Sequence, residues 1–126
     1  MPFFEVNDFA REDLAACRRR AATEMTSALA AAYAIEATII SSYFVAFTDE
    51  SYAHAGELGP SAEARRLLVK LHGFGRPLPV RRRAAELVSA AAASAYGIPA
   101  KSVIVYFLDR TREEVAHGGV LECDRT

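Results

Sequence analysis

The sequence predicts an α+β domain made of two β-α-β units, with one four-stranded sheet and both helices on one face. Three observations predict it. Sliding the 126-residue chain along itself by 63 residues gives 20 identities in 63 gapless pairs. The stretch Cys17 to Ala22 falls on Val80 to Ala85, Tyr33 on Tyr96, Tyr43 and Phe44 on Tyr106 and Phe107, and His54 on His117. Alanine richness inflates matches between helices, but not arginine triplets or His-x-Gly turns, so the chain is a duplication. Second, each half begins with a short apolar run followed by an apolar stripe at helical spacing. Third, each stripe leads into a nearly continuous apolar and aromatic run, the pattern of a buried strand.

The elements follow in order. Pro2 to Val6 reads as a strand, although a proline has no amide hydrogen to give to a ladder. Leu14, Cys17, Ala21, Met25, Ala28 and Ala32 recur at the spacing of one helix face. The arginine triplets beside this stripe and its repeat read as a solvated helix face. Ile39 to Phe47 is the second strand, and Ala53 to Gly56 a hairpin. The second half repeats this order with a strand from Leu67 to His72 and a stripe of Val80, Ala84, Val88, Ala91 and Ala95. Pro77 and Pro79 suit the first turn of that helix and Gly97 its end. Val103 to Leu108 is the last long strand, and Ala116 to Gly119 a second hairpin. A strand, helix and strand of this length form a parallel pair with a right-handed crossover. The result is a single domain, 1–126, of two pseudo-symmetric repeats, 1–63 and 64–126. Nothing in the chain is left to cover the second face of the sheet, so the expected cover is another copy, with the hairpins reaching across to a neighbour.

Composition narrows the function. A net charge of −1 with a quarter of the residues charged gives no electrostatic footprint for nucleic acid or an anionic membrane. Two cysteines, Cys17 and Cys123, do not make a disulfide framework, which points to a reducing, cytoplasmic compartment. No apolar run follows a basic N-terminal region, and the longest apolar stretch, 28–35, is too short to span a bilayer.

The chemistry-bearing position is Pro2. If the two units pack about a pseudo-two-fold axis, Pro2 lies near Phe74 and Arg76, in a mouth that His72 also lines. The gapless repeat puts Arg65, facing Arg11, at the equivalent place in the other unit, so one chain offers one amine site. Removal of Met1 would leave Pro2 as a secondary amine. Desolvation lowers such an amine from its usual pKa of about 8 toward neutrality, where it serves as a general base. Arg76 is placed to hold a substrate carboxylate and to stabilise an enolate forming beside it. His54 and His117 occupy matching hairpin positions without further ligands at metal spacing, so no metal is expected. Gly73-Phe-Gly75 is not a phosphate loop, because it lacks the Gly-Lys-Ser/Thr ending.

These residues resemble the tautomerase superfamily, the group of 4-oxalocrotonate tautomerase and macrophage migration inhibitory factor. The resemblance spans the chain: Met1-Pro2 and a strand, two β-α-β units, and hairpins at Tyr52 to Leu58 and His117 to Leu121. The second half is most similar to the cis-3-chloroacrylic acid dehalogenase branch, in Val69 to Arg76, Val105 to Phe107 and Val115 to Leu121. The resemblance implies a β-α-β fold assembled as a homotrimer, Pro2 as catalytic residue, Arg76 as carboxylate-binding arginine and Tyr106 as a site tyrosine. It also implies a cofactor-independent reaction on a small carboxylate. The chain departs from the dehalogenase branch at Gly73, where a second arginine is expected, at Ala116, where a water-activating glutamate is expected, and at Leu29, where a histidine is expected. Glu113 and Glu114 stand near Ala116. Tautomerisation by Pro2 needs none of the three. Hydration, dehalogenation or decarboxylation of a three-carbon acid by the same proline, or a catalytically silent trimer, are the alternatives.

Overall fold

In a computed structural model that describes residues 1–59 and 65–125, the chain forms the expected sheet with two helices on one face. Strands β1 (Phe3–Phe9) and β2 (Ser41–Phe47) flank helix α1 (Leu14–Tyr33), and strands β5 (Leu67–Phe74) and β6 (Val103–Arg110) flank helix α2 (Leu78–Tyr96). Each unit is followed by a short hairpin. One joins β3 (Ala53–His54) to β4 (Glu57–Leu58), the other β7 (Ala116–His117) to β8 (Val120–Leu121). The sheet order is β2-β1-β5-β6, parallel within each unit and antiparallel where β1 meets β5 at the centre. The repeat boundary after residue 63 lies outside the described residues.

Alternation along the strands decides the two faces. Phe4, Val6 and Asp8 on β1 and Leu67, Val69 and Leu71 on β5 are buried under the helices. The helices meet them with Cys17, Ala21, Met25 and Leu29 on α1 and with Ala84, Val88, Ala92 and Ala95 on α2. Full burial of a side chain as large as Phe4, Met25 or Leu29 contributes roughly 1.5–3 kcal/mol, so this one layer supplies the fold's apolar driving force. Both helices end in a left-handed residue, Ala34 at φ 53° and Gly97 at φ 64°. The second uses the residue that this geometry favours. Pro77 precedes α2 and Pro79 sits in its first turn, where the missing amide hydrogen costs nothing.

Three expectations need correction. β1 runs three residues beyond Val6, and β2 begins at Ser41, because residues Ala37–Ile39 form a 3-10 turn. The arginine triplets are not uniformly solvated. Arg19, Arg20, Arg82 and Arg83 are exposed, whereas Arg18 and Arg81 turn toward the sheet and lie over Phe44 and Phe107 at 5.6 and 5.7 Å.

The third correction concerns the repeat. Phe4 pairs with Ser42 on β2, whereas the residue level with Val105 on β6, 63 positions after Ser42, is Val69. The helices and the outer strands therefore superpose with a shift of 63, but the central strands with a shift of 65. Two extra residues between β1 and α1 absorb the difference. The residue equivalent to Pro2 is thus Leu67, not Arg65; Gly73 is equivalent to Asp8, and Arg76 to Arg11.

Candidate functional site

The site lies where β1 begins beside the end of β5. Phe3 pairs with His72, so Pro2 is level with Gly73. Both project toward the helices, since Phe4 and Leu71, one step inward, are core residues. Pro2 is buried, and a Cβ built on Gly73 would lie 3.3 Å from the Pro2 Cβ. Glycine is required here by close approach rather than by backbone angle. Met1 is half exposed, and its bond to Pro2 makes the Pro2 nitrogen an amide.

Arg76 leaves β5 just before α2 and lays its guanidinium over the ring of Tyr33, the last residue of α1, at 4.5 Å from the ring centre. Its Nε is buried with no hydrogen-bond partner, and the guanidinium has no ion pair among the described residues. A buried unpartnered donor costs roughly 1–3 kcal/mol, which an anionic ligand would recover. Tyr33 is buried, and its hydroxyl makes no hydrogen bond among the described residues. Burial pushes its pKa up while the Arg76 charge pulls it down, the first effect being larger, so the hydroxyl stays protonated at neutral pH. Arg81 closes the wall: its Nε donates to the Arg76 carbonyl at 2.8 Å and its guanidinium pairs with Asp109. Gly75 leaves the space against that pair open, with Asp109 Oδ2 3.6 Å from where a Cβ would stand.

The arrangement is a buried proline, an unpaired cation and a protonated hydroxyl at one end of a rigid sheet. No protein-family model matches the chain, and no curated protein matches it. Solved structures do. One described as a fused 4-OT wild type symmetric trimer has a TM-score of 0.84 at 15% identity, over 98% of this chain and 99% of that one. The chain has the fold of the fused 4-OT structures. A member of the cis-3-chloroacrylic acid dehalogenase (cis-CaaD) family, N1, is similar with a TM-score of 0.76 at 16% identity, over 94% of this chain and 82% of that one. A third, Pt0534 inactivated by 2-oxo-3-pentynoate, has a TM-score of 0.79 at 14% identity, over 97% and 95%.

Within this fused 4-OT fold His72 and Phe74 flank Gly73 in sequence but alternate to the other face of the sheet, and Tyr106 lies farther along it. His72 points to the open face of the sheet, where its ring stacks on Phe3 at 4.3 Å and its Nε2 lies 3.0 Å from Glu5 Oε1. Phe74 shares that face by alternation and carries the Arg112 guanidinium at 4.9 Å. Tyr106 is exposed on the same face opposite Lys70, beside Asn7, Phe47 and Arg66, around a depression of about 440 Å³ toward the far end of the sheet. Glu114 does not stand free: its carboxylate accepts from the Thr111 amide and hydroxyl, both at 2.9 Å, and the amide hydrogen bond chiefly holds its pKa below the usual range. Arg11 pairs with Asp13 and donates to the Tyr96 carbonyl at 2.8 Å, away from Pro2. His117 pairs with Glu122, and no group of three His, Cys, Asp or Glu stands ready for a metal ion among the described residues. Tyr33 was not selected from sequence beyond its place in the repeat. Among the described residues, no helix is long and apolar enough to cross a membrane.

Proposed function

We propose that the chain is a cofactor-independent tautomerase of the superfamily its fold suggests, acting as a homotrimer on a small keto or enol carboxylate. Pro2, freed by removal of Met1, takes the proton next to the substrate carbonyl and returns it to the neighbouring carbon. Arg76 binds the substrate carboxylate and stabilises the enolate. The observation that carries the reading is a buried Pro2 packed on Gly73, three residues before an Arg76 guanidinium that has no counter-charge among the described residues. Water exclusion around Pro2 favours its neutral form, the form that acts as a base. For the hydrolytic alternative, Glu114 is bound into its own turn, which leaves exposed Glu113 as the nearby glutamate that could replace the missing water activator.

Homotrimer formation is supported by the trimer named in the fused 4-OT description and by the uncovered sheet face, where Tyr43, Val45 and Tyr106 are each more than half exposed. The test is the ultraviolet absorbance of a small enolic 2-hydroxyalkenoate as it converts to the ketone. We expect Pro2→Ala to lose most of kcat and Arg76→Gln to raise KM about tenfold or more, the worth of a charged hydrogen bond. Equal rates for wild type and Pro2→Ala would end the proposal.

A further inference from the structure

The two ends of the sheet carry matching tyrosines and arginines but differ in their carboxylates. At the end away from Pro2, Asp8 is fully buried and its carboxylate accepts from the Tyr96 hydroxyl at 2.7 Å. It accepts twice more from Arg18, at 2.8 and 2.9 Å. Under the register-corrected repeat, the same positions at the Pro2 end are Gly73, Tyr33 and Arg81, with Arg76 in place of Arg11. There the carboxylate is missing. Tyr33 keeps its ring under a guanidinium but donates to nothing among the described residues, and Arg76 is unpaired with a buried Nε. Arg81 is drawn instead to Asp109, at a position where the first unit has Ala46.

From this comparison we infer that the Tyr33 hydroxyl, with Arg76, binds the ligand's carboxylate in the space that the Asp8 carboxylate fills at the opposite end. The inference rests on the reading of Arg76 as a carboxylate clamp and adds Tyr33 to it. A group built outward from Gly73 meets Pro2 at 3.3 Å, so a carboxylate held there lies beside the proline ring. The ligand class is a small monocarboxylic acid with its carbonyl or enol at C-2. Esters and amides of the same acid lack the charge that Arg76 requires.

Titration of the full chain with propanoate, an unreactive probe, tests this, with propanamide as control and chemical shifts as the readout. Propanoate should bind saturably and propanamide should not. Tyr33→Phe, which keeps the ring under Arg76, should weaken propanoate about tenfold. Gly73→Asp, which supplies an internal carboxylate, should abolish binding, while Tyr96→Phe should leave it unchanged. An unchanged affinity in Tyr33→Phe, equal binding of the amide, or no saturable binding overturns the inference. Pro2→Ala should retain propanoate binding; if it also retains turnover, the proline mechanism fails while the Tyr33 site stands.

Discussion

At the scale of the residue, function turns on contacts of a few ångströms. Gly73 gives Pro2 its place, and Gly73→Ala would push the proline by a few tenths of an ångström. Small misplacements of a reacting group are costly, so we expect kcat to fall by up to about tenfold with helix content unchanged by circular dichroism. The tyrosines give a pH prediction. Burial raises the pKa of Tyr96 above its unfolded value of 10.0, and the hydrogen bond to Asp8 raises it further. A raised pKa means that the folded chain holds the proton longer, so this stability is complete at neutral pH and declines as pH climbs above about 10. Denaturation midpoints should therefore fall through that range in the wild type, and less steeply in Tyr96→Phe. That Pro2 lies beside the end of β5 was legible in the sequence, because two units packed about a pseudo-two-fold axis set the start of β1 against it. For His72 and Phe74 the sequence reading gave a place near Pro2 but no sheet face, and the structure turns both to the open face. The signal for that face was present: Leu67, Val69 and Leu71 alternate toward the core, so Gly73 joins them and its neighbours face away. Tyr33 ended an apolar stripe and carried no chemical mark; only the contrast with the Asp8 cluster reveals it.

At the scale of the element, periodicity and punctuation gave the two helices, the four strands and both hairpins in their right order. What the repeat did not give was register. Central strands β1 and β5 are both apolar at every second residue, so shifts of 63 and 65 fit equally well by pattern. Only the pairing to β2 and β6 separates them. The consequence is chemical, since the shift decides whether Arg65 or Leu67 stands opposite Pro2 in the symmetry and whether Asp8 matches Gly73. The helix ends carry a further test. Ala34 adopts φ 53°, whereas its repeat partner Gly97 is the residue suited to that region. Ala34→Gly should raise stability by about 0.5–1 kcal/mol, read as a higher urea midpoint with an unchanged m-value.

At the scale of the whole molecule, the chain leaves one sheet face to solvent. Tyr43 is 59%, Val45 52% and Tyr106 58% exposed on it, and Leu58, Val120 and Leu121 project from the hairpins. Apolar exposure of this kind marks an interface. We expect sedimentation velocity to give trimers at micromolar concentration, and Val45→Asp to shift them toward monomers while its place on the face away from the helices leaves α1 and α2 intact.

The central claim, that Pro2 acts through a free and reactive nitrogen, is tested most directly by mass spectrometry after exposure to 2-oxo-3-pentynoate, an electrophile that an unprotonated amine attacks. Chains lacking Met1 should gain one adduct each, mapped to the Pro2 nitrogen. Active protein that retains Met1, or inactivated protein whose adduct lies on another residue, would contradict it.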